Sequence, residues 1–150
     1  MPNFKVARNI FYRFLVLILF AVVFELINKG IASTTLHNAI ENTLFSIVLI
    51  SPVCFIHNRK ILHFYNVLIY LLFAFFIYFE AVYFHLFETY LSASSIFVAL
   101  DSNNQEAIEF LSFYVDYKVI IFSLLMLFVT TISVLRFKTI LSHLNKTTKQ

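Results

Sequence analysis

The sequence is poor in the residues that build catalytic loops, metal sites and disulfides. It contains one glycine, one cysteine and two prolines in 150 residues. A single glycine excludes most phosphate-binding loops, since these need several glycines. A single cysteine, Cys54, excludes an intrachain disulfide and a cysteine-rich metal site. The chain also lacks a nucleophile elbow and any cluster with metal-ligand spacing, so its motifs indicate no catalytic centre.

Charge is scarce as well, and this fixes the class of protein. Charged residues make up 13% of the chain and hydrophobic residues 61%, which is not the composition of a soluble domain. We therefore expect an all-α, polytopic membrane protein that forms a single domain over residues 1–150. Tryptophan is absent, so tyrosines near the ends of the predicted spans must anchor the chain at the membrane surface: Tyr12, Tyr65, Tyr90, Tyr114 and Tyr117.

Four apolar runs predict four transmembrane helices. Their approximate bounds are 14–28, 43–56, 61–87 and 118–136. A polar loop is expected from Lys29 to Asn42, and a short basic turn at 57–60 returns the chain into the third span. Pro52 falls inside the second span, where it is tolerated if Ser51 or a neighbouring helix satisfies the carbonyl that proline leaves unpaired.

The basic residues predict the orientation of the four spans. Nine lysines and arginines fall on one side of the bundle, whereas only Lys29 and Lys118 fall on the other. Positive charge beside short loops marks the cytoplasmic side, so both termini are expected there. The nine residues on that side are Lys5, Arg8, Arg13, Arg59, Lys60, Arg136, Lys138, Lys146 and Lys149.

The external stretch over residues 88–117 carries a pattern of its own. Asp101, Ser102 and Asn103 are typical helix-start residues, and Glu106 follows at the third position of a capping box. A short amphipathic helix is predicted to follow, lying flat with one apolar face. An ordinary capped connector is the alternative interpretation. The residues of the apolar face are Ala107, Phe110, Leu111 and Tyr114.

Ionisable residues also occur inside the predicted spans. Glu25 lies near the outer end of the first span, and Glu80 and His85 lie in the third. Unpaired charge is costly at membrane depth, so these three residues are candidates for a functional polar site. The alternative is that Glu25 and Glu80 lie at the level of the outer head groups and are hydrated. No haem is expected, because the histidines are scattered and do not face one another at one depth.

The run SSIFVALDSNNQEAIEFL, between a long third span and a fourth, resembles the membrane domain of bacterial phosphoethanolamine transferases. The resemblance implies an inner-membrane protein involved in moving phosphoethanolamine from phosphatidylethanolamine to lipid A or another surface glycan. It also implies that Ser102 and Glu106, with Asn103 in the same trio, contact the lipid head group. A position held by asparagine in some members is Val98 here.

In that family a sulfatase-like periplasmic domain carries the zinc and the threonine nucleophile. This chain contains neither, so no cofactor is expected in it, and zinc belongs only to a catalytic region elsewhere. The expected partners are membrane lipids, phosphatidylethanolamine among them, and a separate sulfatase-like region; nucleic acid is not expected, because the basic tail directly follows a span.

Three interpretations remain open. The chain is the membrane half of such a transferase, or a stand-alone four-span protein that acts as a binding or assembly partner. The third is a small proton-coupled exporter, which the single glycine and the position of Glu25 near a span end disfavour.

Overall fold

The computed structural model describes residues 4–30, 33–90 and 115–147, together with residues 92, 97, 103, 105 and 109. The described residues form helices and one 3₁₀ turn, with no strand, so the all-α prediction is confirmed. The helices are α1 (Phe4–Lys29), α2 (Ser33–Ile50), α3 (Arg59–Phe87) and α4 (Tyr117–Thr147), and the 3₁₀ turn Ser51–Cys54 follows α2.

Three of these helices are long and apolar enough to cross a membrane. The candidate spans are Val6–Asn28 in α1, Arg59–Phe87 in α3 and Tyr117–Arg136 in α4. Each has at least the roughly 20 residues that a bilayer core requires. Their outward faces carry large exposed apolar side chains, such as Leu19, Phe75 and Leu127. The chain is therefore a helical membrane protein with three candidate spans. α2 is not long and apolar enough to be counted with them.

The second helix differs from the sequence prediction at both ends. The expected polar loop from Lys29 to Asn42 is helical from Ser33 onward, so that part of the prediction is wrong. The reason is that one face of this segment carries polar residues that pack against other helices, with Asn38 9% exposed and Thr35 3% exposed, while His37 and Glu41 lie on the exposed side. Tertiary contacts thus turn a segment of polar composition into a helix.

Pro52 ends α2 instead of lying inside a continuous helix to Ile56. A proline at this position cannot donate to the carbonyl of Val48 four residues earlier. The Ser51 hydroxyl, one of the two kinds of partner considered from the sequence, donates to that carbonyl at 2.9 Å. Tyr65 of α3 donates its hydroxyl to the next carbonyl, that of Leu49, at 2.8 Å. The broken end of the helix is therefore satisfied by side chains.

Helices α1 and α3 form the central pair of the bundle. α2 packs mainly on α1, and α4 packs mainly on α3. Small residues at the central contact, Ala21 in α1 and Ala74 and Ala81 in α3, are buried and let the helices approach without glycine. Aromatic rings fill the remaining space between these helices, and the ring centroids of Phe14 and Phe73 lie 4.6 Å apart.

Three helix ends are capped in ways that the local sequence explains. The single glycine, Gly30, follows α1 with φ of 75°, a conformation that costs residues with a Cβ about 1–2 kcal/mol. Asn58 caps α3 by accepting from the N–H groups of Lys60 and Ile61. Asp116 caps α4, since its carboxylate accepts from the N–H of Val119 at 2.9 Å. These caps set the points at which successive helices reverse direction.

Candidate functional site

Two carboxylates from different helices come together near one end of the bundle. Glu25 lies four residues before the end of α1 and is 3% exposed. Glu80 lies seven residues before the end of α3 and is partly exposed. The two charges are close enough to repel each other. The fold therefore joins two of the three intramembrane candidates from the sequence.

An asparagine pair on α2 links these carboxylates. The amide nitrogen of Asn42 donates to Glu80 Oε2 at 3.0 Å and to Asn38 Oδ1 at 2.9 Å. The amide nitrogen of Asn38 in turn lies 3.4 Å from Glu25 Oε1. Each amide thus directs a donor at a carboxylate, and the chain Glu80–Asn42–Asn38–Glu25 connects three helices. We name these four residues the carboxylate–amide network.

Tyr90 contacts the network at Glu25, its most buried carboxylate. Its hydroxyl donates to Glu25 Oε2 at 3.2 Å, and its ring stacks on Phe84 with centroids 4.6 Å apart. Burial, together with the negative charge of Glu25, raises the pKa of the Tyr90 phenol. Tyr90 therefore stays protonated and acts as a donor. The buried hydroxyl of Thr35 lies next to the same carboxylate.

The donors that the structure gives to Glu25 and Glu80 are neutral: the amides of Asn38 and Asn42 and the hydroxyl of Tyr90. Among the side chains that the structure describes, the ion pairs His37–Glu41 and His85–Asp116 both leave out Glu25 and Glu80. The exposed Glu41 on α2 adds further negative potential at Glu80. Amide and hydroxyl donors orient carboxylates without neutralising them. The arrangement can therefore attract a cation or accept hydrogen bonds from an ammonium group.

His85, the third intramembrane candidate, belongs to a different contact. Its Nε2 lies 3.3 Å from Asp116 Oδ2, and its ring packs 5.3 Å from that of Phe24. Burial opposes ionisation of Asp116, but hydrogen bonds from Val119 and His85 outweigh it and lower the pKa of this carboxyl. The pair connects the end of α3 to the start of α4. His85 is therefore not part of the carboxylate–amide network, which contains Glu25 and Glu80.

The external candidates are only partly described. Ser102 and Glu106 lie outside the described residues, whereas Asn103 is exposed and not helical. The predicted amphipathic helix also lies outside them, apart from Gln105 and Glu109, which are both helical. The head-group contacts assigned to Ser102, Asn103 and Glu106 therefore stay predictions.

Sequence reasoning missed the asparagine pair and Tyr90. A signal for the pair was present, because Thr35, Asn38 and Asn42 are spaced by three and four residues, as on one helix face. Polar residues on one face of a membrane helix point into the bundle and can mark a functional site. Tyr90 gave no such signal, since its contact with Glu25 spans 65 residues and depends on the fold.

No group of three histidine, cysteine, aspartate or glutamate side chains among the described residues is arranged to hold a metal ion. Comparison of the chain with protein-family models, curated proteins and solved structures finds no match. The site's own chemistry is therefore what supports a function.

Proposed function

We propose that this chain is a membrane domain that binds the amine head group of a phospholipid, with Glu80 and Glu25 forming the anionic end of the site. The observation that carries this proposal is the carboxylate–amide network. It gathers two carboxylates from α1 and α3, supports them with oriented amides, and includes no basic partner among the side chains that the structure describes. Polar groups held in this way inside a membrane bundle are costly to maintain without a role.

The two carboxylates have different parts in this proposal. Glu80 is partly exposed, so it contacts the ammonium directly. Glu25 is buried behind Tyr90 and acts as a positioning residue, because its charge and its hydrogen bond to Asn38 orient the network. A primary ammonium has three N–H donors, so it matches a site built of acceptors at the edge of a bilayer. Phosphatidylethanolamine is the amine lipid that we propose as ligand.

The resemblance to phosphoethanolamine transferases suggests a biological role for this lipid binding. We propose that the domain holds phosphatidylethanolamine for a sulfatase-like catalytic region elsewhere, which carries zinc and performs the transfer. In this proposal the protein lies in the bacterial inner membrane with both termini cytoplasmic, and Ser102, Asn103 and Glu106 form the outer rim of the head-group site. A stand-alone binding or assembly partner uses the same site without the transfer step.

The outward face of α2 supports a fourth helix in contact with lipid. Its exposed apolar residues recur along its length, from Leu36 and Ile40 to Leu44 and Val48. The polar residues Asn38, Asn42 and Ser46 face the bundle instead, and Ser46 is fully buried. An apolar outer face over a polar inner face is the pattern of a helix embedded in lipid. We therefore include α2 among the membrane helices.

Retention of lipids by the purified chain tests the proposal. The chain is placed in bilayers of phosphatidylcholine and phosphatidylethanolamine, and the bound lipids are counted by native mass spectrometry. We expect Glu80→Gln to lower the preference for phosphatidylethanolamine about tenfold, since charged hydrogen bonds contribute about 1.5–3 kcal/mol and 1.4 kcal/mol is tenfold. Glu25→Gln is expected to lower it less.

Glu41→Gln is the matched control, because Glu41 is an exposed acid on α2 that pairs with His37 outside the network. It is expected to lower the preference much less than Glu80→Gln does, because its charge acts on Glu80 only from a distance. Glu106→Gln in the same assay tests the outer rim. Equal retention of both lipids by the wild type, or an equal response to Glu80→Gln and Glu41→Gln in a folded chain, contradicts the proposal.

A further inference from the structure

A second polar groove lies between α1 and α4, at the opposite end of the bundle from the carboxylate–amide network. Its polar lining consists of Asn9, Tyr12, Arg13, Ser133 and Arg136. The groove encloses about 540 Å³, within the range of roughly 300–1,000 Å³ that small-ligand sites occupy. We name it the arginine groove.

Two arginines converge on this groove. Arg13 is half-buried and donates from Nη1 to the backbone carbonyl of Ser133, which fixes its guanidinium against α4. Arg136 is exposed and close enough for its charge to act on Arg13. The acidic residues of the chain fall between Glu25 and Asp116 in sequence. Glu25 and Glu80 lie toward the other end of α1 and α3, and Asp116 directly precedes α4 at that same end. The groove is therefore a region of concentrated positive potential that attracts anions.

A buried amide on α3 lies behind the arginines. Asn66 is 2% exposed, and neither its amide nitrogen nor its carbonyl oxygen has a hydrogen-bond partner among the described residues. It lines a small cavity with Arg13, Tyr70 and Ser133. An unsatisfied buried polar group is unfavourable, so its position in a cavity that shares Arg13 and Ser133 with the groove points to a polar occupant near this wall of the site. The cavity itself holds about 10 Å³, enough for one water that bridges the amide to that occupant.

The groove's location identifies the kind of anion. It opens between two helices that cross the membrane, and the apolar side chains of Val16 and Ile132 line it beside the arginines. Arginine binds phosphate oxygens through a planar fork of donors. Basic sites between membrane helices on the positively charged side bind anionic lipid head groups. We infer that the arginine groove binds the phosphate of an anionic phospholipid, with Val16 and Ile132 against its acyl chain.

Competition between phosphatidylglycerol and phosphatidylcholine for the purified chain tests this inference. Native mass spectrometry of the chain from mixed bilayers is expected to show phosphatidylglycerol retained about tenfold over phosphatidylcholine. Arg13→Gln and Arg136→Gln should each remove most of that preference, because each deletes a charge-assisted contact. Lys60→Gln is the matched control: it removes one exposed positive charge from the same end of the bundle, outside the groove.

Additional measurements distinguish a lipid phosphate from free phosphate and control for variants that fail to fold. Inorganic phosphate at millimolar concentration should not displace phosphatidylglycerol; displacement overturns the assignment to a lipid. Arg13→Lys keeps the charge but loses the fork, and should fall between the wild type and Arg13→Gln. If Arg13→Gln fails to fold, the exposed Arg136 decides the matter. An effect of Arg136→Gln no larger than that of Lys60→Gln overturns the inference, and Glu80→Gln should leave this preference unchanged.

Discussion

At the scale of single residues, Asp116 has two separable contributions. One oxygen caps α4 through the N–H of Val119, and the other lies 3.3 Å from His85 of α3. Asparagine caps helices as well as aspartate does. Asp116→Asn therefore keeps the cap and removes the charge, whereas Asp116→Ala removes both.

The lowered pKa of Asp116 predicts how the stability of the protein depends on pH. The folded state holds the ionised form more strongly than the unfolded state, whose value is near 3.8. Its stabilising contribution is therefore present above that value and is lost as pH falls through the lower pKa of the folded state. Thermal unfolding in detergent should show this loss in the wild type and not in Asp116→Asn. Parallel curves for the two proteins below pH 4 contradict it.

At the scale of helices, the carboxylate–amide network predicts which polar substitution is costly. Asn42→Ala deletes a donor and leaves a Glu80 oxygen without its partner. Leaving such a group unsatisfied costs about 1–3 kcal/mol. Thr43→Ala is the control on the same helix, because its hydroxyl bonds only to the Ala39 carbonyl within α2. Unfolding midpoints should fall clearly further for Asn42→Ala; equal shifts count against a network that joins the helices.

Hydropathy predicted the helices whose surfaces are mostly apolar. It failed for the helical segment whose polar side chains are hydrogen-bonded to other parts of the protein. The apolar runs of α1, α3 and α4 were predictable, since their composition alone requires a membrane. The first turns of α2 were not, because Thr35, Asn38 and Asn42 look like loop residues until Glu25 and Glu80 are in place beside them. Half of the candidate site was predicted. Glu25 and Glu80 were selected because acidic residues are rare inside membrane spans, whereas Asn38, Asn42 and Tyr90 join the site only through tertiary contacts.

At the scale of the whole molecule, the charges divide between the two ends. The carboxylate–amide network and the Asp116–His85 pair lie at one end, and Arg13 and Arg136 lie toward the other. Arginine and lysine beside short loops remain in the cytoplasm, so the arginine end is predicted to be inside.

Cysteine labelling measures this orientation. In a Cys54→Ser background, Asn104→Cys should react with an impermeant thiol reagent added to intact cells. Thr147→Cys, at the end of α4, should react only after the cells are lysed. Labelling of the Thr147 position from outside reverses the orientation and places the carboxylate–amide network on the cytoplasmic side.

Chemical coupling of lipid to protein tests the amine site most directly. A zero-length carbodiimide joins a primary amine to a carboxylate only when the two are in contact. With the chain in bilayers containing phosphatidylethanolamine, the proposal predicts a lipid adduct at Glu80, localised by peptide mass spectrometry and lost in Glu80→Gln. Phosphatidylcholine, which has no primary amine, should give none. Adducts at the exposed Glu41 with none at Glu80 would contradict the proposed head-group site.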